Sequence, residues 1–270
     1  MSKFLLIFVF IQSVVFAQFQ NFKSRSEVGM SLGVIYYIGD LNPTSHFKFS
    51  SPCYSAIYRY TINPRLVIKS TILGGNLLAD DAQSSSTYQI NRNLSFKTSV
   101  YEFAAGLEIN YLNYFTGSKD KRITPFISLQ MALFKINPKA NYNGEWIDLQ
   151  SLGTEGQGTE LSGKTYYKKV QLAFPIGIGL KASISKRFSF CLEYGLRKTF
   201  TDYIDDVSNF SYINYGKMVE INGPIAADLS NRSLDKNPYG QRGNPTTKDW
   251  YFVCNASLNI KLGNPDKCFY

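Results

Sequence analysis

The stretch FSFCLEYGLR, residues 188–197, sets Phe188, Phe190, Leu192, Tyr194 and Leu196 at alternate positions, with Ser189, Cys191, Glu193, Gly195 and Arg197 between them. A period of two marks a β-strand whose two faces meet different surroundings. Residues 252–262 repeat the pattern: Phe252, Cys254, Ala256, Leu258, Ile260 and Leu262 alternate with Val253, Asn255, Ser257, Asn259 and Lys261. Eight segments read as strands: 26–39, 52–62, 65–75, 96–112, 123–134, 170–183, 187–200 and 248–262. The odd-numbered connections (40–51, 76–95, 135–169, 201–247) are long. The even-numbered ones (63–64, 113–122, 184–186) are short. A soluble sandwich, the competing reading, has no reason to alternate in this way. An up-and-down outer-membrane barrel does, with long external loops and short periplasmic turns. The predicted fold is all-β: an eight-stranded antiparallel up-and-down transmembrane β-barrel with both termini periplasmic.

This assigns the faces. Phe188, Phe190, Leu192, Tyr194 and Leu196 point to lipid, and Glu193 and Arg197 to the lumen. Eight strands enclose a space that side chains can fill. The same parity sends inward Gly29, Ser31, Gly33 and Gly39, then Arg59, Lys69, Glu102, Gly106, Glu108, Gly177, Gly179, Lys181 and Lys261. Charges in such a place must pair or be hydrated, so these residues are expected to form a lumenal ion-pair network. A lumen filled in this way argues against a general porin.

The first residues set the compartment. Lys3, the apolar run Phe4–Phe16 and the small residues before Gln18 read as a signal peptide over 1–17. No other run is long enough for a spanning helix. Aromatic residues make up 15% of the chain, with 19 Tyr and 20 Phe, which suits strands and the aromatic girdles of outer-membrane barrels. No linker or repeat divides 18–270, so it reads as one barrel domain.

Chemistry is sparse. The single histidine, His46, stands beside Ser45 and near Asp40 in the first external loop, and is expected to be solvated. No glycine-rich phosphate loop and no metal-ligand spacing occurs, so no catalytic residue, metal or cofactor is assigned. Cys53, Cys191, Cys254 and Cys268 fall at incompatible heights and faces for a disulfide. In the external loops Asp40, Asp202, Asp205 and Asp206 can cap turns, pair with Arg92, Arg197 or Arg242, or bind a cation; a salt-bridge cluster is the favoured reading.

The loop strings are the most particular part of the sequence: YYIGDLNP (36–43), RNLSF (92–96), TEGQG (154–158), PIGIGLK (175–181), TFTDYIDDVS (199–208), GQRGN (240–244) and DWYF (249–252). Taken in order, they resemble the PorG family of type IX secretion system outer-membrane proteins of Bacteroidota, from Gly29 to Leu262. The resemblance implies a non-enzymatic barrel that associates with a periplasmic ring of a PorK-type lipoprotein and a PorN-type partner. Such a barrel is needed to secrete cargo, adhesins included in gliding species. A stand-alone adhesin or small-solute channel is the alternative.

The formal charge is +9. On this topology the periplasmic rim gathers Lys23, Arg25, Arg65, Lys119, Lys121, Arg122, Lys186, Arg187 and Lys267 against Glu27, Asp120 and Asp266, while the external loops are near neutral. Attraction to anionic headgroups is one reading. The other is a docking surface, with Lys119, Lys121 and Arg122 of GSKDKR (117–122) and the neighbouring Lys186 and Arg187 meeting the ring.

Overall fold

The computed structural model describes residues 25–235 and 240–262. The predicted signal peptide (1–17), the segment 18–24, Lys267 and Cys268 lie outside the described residues. Eight long strands form the barrel: β1 (Arg25–Ile38), β2 (Ser51–Asn63), β3 (Leu66–Asp80), β4 (Ser95–Asn110), β5 (Ile123–Lys135), β8 (Val170–Ser183), β9 (Phe188–Thr199) and β10 (Trp250–Lys261). Two short strands, β6 (Lys139–Tyr142) and β7 (Glu145–Asp148), make a hairpin in the β5–β8 connection. Each long strand pairs antiparallel with its sequence neighbours. β1 closes the ring on β10, from Glu27↔Lys261 to Ile38↔Trp250. The architecture is a closed eight-stranded antiparallel β-barrel. Long connections leave from one end and short turns from the other.

The alternation sets the register. On β9, Ser189, Cys191, Glu193 and Arg197 are buried inside, while Phe188, Phe190 and Leu192 are exposed outside. On β5 the outward residues from Ile123 to Leu133 are all apolar, and the next is Lys135. Ten residue steps of about 3.3 Å, tilted by about 40°, give a wall about 25 Å tall.

At the long-loop end the sense of the alternation inverts. Outward Asn76 faces outward Ser99 across the β3–β4 pair, and the Ser99 hydroxyl meets Asn76 Oδ1 at 2.8 Å. The inward partners there are Leu77, Phe96 and Val100. Polar-out and apolar-in is the rule for a sheet in water. This accounts for β3 running on to Asp80, past the end expected from sequence at residue 75. The upper lumen is therefore hydrophobic rather than charged. Ile35, Leu73, Val100, Phe134 and Val253 pack there, and the same core continues upward through Leu41, Leu94, Ile136, Leu149, Ile204, Val207 and Leu229 of the long connections. The long connections thus fold into a cap. It includes helices Tyr215–Asn222 and Pro224–Ser230, the first capped by Asn214, whose side chain accepts from Lys217 N. Met218, Ala226 and Ala227 form a second small core beneath them.

Candidate functional site

Inside the barrel, charge is paired in layers. Glu108, fully buried, accepts from Arg59 Nε at 2.9 Å and from Lys181 Nζ. Arg59 also donates to Asn259 Oδ1 at 2.7 Å. Lys69 Nζ donates to Glu193 at 2.5 and 2.6 Å, and Ser128 donates to the same carboxylate at 2.8 Å. Gly177 makes room for that carboxylate, since a Cβ there would lie 2.7 Å from Glu193 Oε1. Above it, Arg197 Nε stands 3.5 Å from Glu102, whose Oε2 accepts from Tyr251 at 2.5 Å. The residues expected to form one network thus divide into three separate ion-paired groups. Lys261, at the short-turn end, donates to the Thr116 carbonyl at 3.4 Å.

Aromatic residues that sequence parity did not single out complete the lumen. The inward ring of Phe126 carries Lys69 at 5.8 Å and Lys181 at 5.2 Å. Tyr114, almost fully buried, lies under Lys181 at 5.2 Å. Tyr114 belongs to the connection 111–122, which lies across the short-turn mouth. Tyr114 N bonds Pro64 O at 3.2 Å, Gly117 N bonds Ser183 Oγ at 2.8 Å, and Thr116 Oγ1 donates to Glu27 at 2.5 Å. Glu27 is therefore a buried plug residue rather than a rim charge. This connection, longer than the other two turns at the same end, crosses and closes the barrel. Its far half remains outside: Lys119, Lys121 and Arg122 are exposed, as are Lys186 and Arg187 of the neighbouring turn.

The cap holds the second concentration of charge, and its pairing differs from that expected. Arg92 grips Asp81 with two bonds of 2.7 and 2.8 Å, and Arg242 pairs with Glu155. Neither arginine makes a carboxylate pair with Asp202, Asp205 or Asp206, and Arg197 lies below with Glu102. The guanidinium groups instead hold backbone carbonyls: Arg92 reaches Arg242 O at 2.7 Å and Asp40 O at 2.8 Å, and Arg242 reaches Asp206 O at 3.1 Å. They tie three loops together.

The aspartates are held by hydroxyl and amide donors. Asp206, at φ 66°, accepts from Tyr167 Oη at 2.7 Å and from Thr154. Asp40 accepts from Asn244 N at 3.0 Å. Asp202 has a lysine, Lys248, 3.8 Å away. Tyr37 Oη lies 2.6 Å from Asp205 Oδ2 and 2.9 Å from Asp249 Oδ1, and all three groups are buried. A hydroxyl carries one proton and cannot donate to both carboxylates, so one carboxyl holds a proton of its own. Burial, then the mutual repulsion of these acids, lifts Asp205 and Asp249 well above the ordinary range. Burial raises Asp206 to about 7 and Asp202 to about 6. Asp249, Glu155 and Tyr37 were not singled out from sequence. For Tyr37 the inward parity of β1 was the available signal.

His46, expected to be solvated, is exposed. It sits on the outer wall, its Nδ1 3.0 Å from Tyr36 Oη and its ring edge-on to Phe252. Its contacts there are with the aromatic side chains of Tyr36 and Phe252. Among the described residues no group of His, Cys, Asp and Glu is placed to hold a metal. Cys191 faces the lumen at full burial, and Cys53 and Cys254 are likewise unbridged.

The fold and its filled interior define a closed, plugged β-barrel. The chain belongs to the family described as "Domain of unknown function (DUF6089)", which matches residues 2–223. No curated protein matches significantly. Similar solved structures include the attachment invasion locus protein Ail of Yersinia pestis, in complex with the heparin analogue sucrose octasulfate (7% identity, TM-score 0.43, 89% of this chain and 100% of that one). Neisserial surface protein A is similar at 7% identity and TM-score 0.44, over 89% and 100% of the two chains. The N-terminal barrel domain of Pseudomonas aeruginosa OprF is similar at 8% identity and TM-score 0.35, again over 89% and 100%.

Proposed function

We propose that this barrel is a non-enzymatic outer-membrane component of the type IX protein secretion system. In this reading the short turns face the periplasm and contact a ring of the PorK and PorN type. One observation carries the proposal: buried ion pairs fill the lumen, the connection 111–122 crosses one mouth and the long connections pack over the other, an arrangement that favours a role for the molecule's surfaces over one as a channel. The order of the loop strings supports the family resemblance. The exposed cations Lys119, Lys121, Arg122, Lys186 and Arg187 cluster beside the plug at one mouth, and such clusters favour encounter with acidic partners. A pull-down of the full chain from detergent-solubilised outer membrane tests this. Co-purification of a ring lipoprotein supports it; a barrel that purifies alone and conducts ions overturns it. A surface role such as adhesion is the second reading. It is favoured by the ordered cap and its exposed Phe210, Tyr215 and Ile221.

A further inference from the structure

Three lysines on the outer wall lack the partners that every charge in the middle of the lumen has. Lys135 is the first outward residue beyond the apolar run of β5, and Lys198 stands in the same relation to β9, after Leu192, Tyr194 and Leu196. Lys97 points outward from β4 just above Ser99, where the wall turns polar. Among the described residues no carboxylate lies within ion-pair distance of any of the three. Lys198 instead lies over the ring of Trp250 and Lys97 over that of Trp146, each at 5.5 Å. These are the only two tryptophans of the chain.

Tryptophan settles where hydrocarbon gives way to headgroups. An ammonium on an indole face is held there without being neutralised. Lysine stems can lie along the apolar wall while their heads reach the same level. The counter-ion is then left to the surroundings. We propose that Lys97, Lys135 and Lys198 form a collar that binds the phosphate groups of phosphorylated glycolipid in the outer leaflet. The cap above is near neutral, so a general positive field does not explain the arrangement; the three cations lie on β4, β5 and β9, at and beyond the upper end of the outward apolar runs. The inference rests on the reading that the barrel spans the outer membrane with its long loops outside.

The test uses the full chain folded in detergent micelles and titrated with lipid A, bisphosphorylated or enzymatically dephosphorylated, with bound lipid counted by native mass spectrometry. The phosphorylated form should bind more tightly. Lys97→Gln, Lys135→Gln and Lys198→Gln should each weaken it roughly fivefold, as expected for one surface cation near anionic lipid. Dephosphorylated lipid A should bind the variants and the parent alike, and millimolar inorganic phosphate should not compete. Equal binding of the two lipids, indifference to all three substitutions, or displacement by free phosphate would overturn the collar. Each substitution is at an exposed position and is checked by the heat-modifiable mobility of the folded barrel. A parent chain that does not insert into bilayers would overturn the membrane reading itself, a result distinct from insertion without phosphate preference.

Discussion

In the middle of the lumen, Glu108 takes Arg59 and Lys181, Glu193 takes Lys69, and Glu102 takes Arg197. In the cap, Asp205, Asp206 and Asp249 are just as buried but are held by tyrosine, threonine and backbone donors, with the nearby arginines committed to Asp81 and Glu155. The two regions solve the cost of buried charge differently. The middle of the lumen neutralises each carboxylate with a cation. The cap lets carboxyls take up protons. The first arrangement depends on each partner's presence, the second on pH.

The largest effect should come from breaking a lumenal pair. Glu108→Ala strands two buried cations and should cost roughly 3–5 kcal/mol or more, read as the urea midpoint of the refolded barrel. Glu193→Ala strands Lys69 and should cost a similar amount, and adding Lys69→Met should recover much of it. An unchanged midpoint for both single variants would mean that the lumen is freely hydrated. Next comes the opposite parity on the same strand. Leu192→Arg places a charge on the outward wall and should cost roughly 2–4 kcal/mol in a bilayer. The same measurement in bilayer vesicles compares it directly with Glu193→Ala.

The cap should respond to pH. Asp206 has a folded pKa of about 7, above the unfolded value of about 3.9. Its contribution is therefore fully present below the unfolded value and is lost as pH rises through about 7. Hydrogen exchange at 203–209, corrected for intrinsic rate, should show a less protected cap at pH 8 than at pH 5. Asp206→Asn should flatten that difference. A cap equally protected at both values would place Asp206 among solvated acids. The smallest effect on stability belongs to exposed charge. Reversing Lys119, Lys121 and Arg122 to Glu should move the unfolding midpoint by less than about 0.5 kcal/mol. It should still weaken ring co-purification, most at low ionic strength, where exposed charge is least screened. Normal assembly at every salt concentration would assign these cations to lipid headgroups instead.

The strand count, the alternation of long and short connections and the inward parity of Arg59, Lys69, Glu108, Lys181, Glu193 and Arg197 are all legible in the chain. Each depends on a period of two, and that period is a local property of the backbone. Three things were not legible. One is where β3 ends, because the alternation continues while its meaning reverses once the wall leaves the apolar band at Asn76 and Ser99. Another is the role of 111–122, since Tyr114 and Thr116 become a plug only when Pro64 and Ser183 are brought beside them by barrel closure. The last is the choice of partners. Arg92 and Asp81 are 11 residues apart, but Arg242 and Glu155 are 87 apart, and Tyr37 stands 168 and 212 residues from the two carboxyls that it bridges. Sequence by itself determined which residues face inward. Tertiary structure decided which of them meet, because ion pairs and shared protons act over a few ångströms and the distances between strands and loops exist only once the barrel has closed.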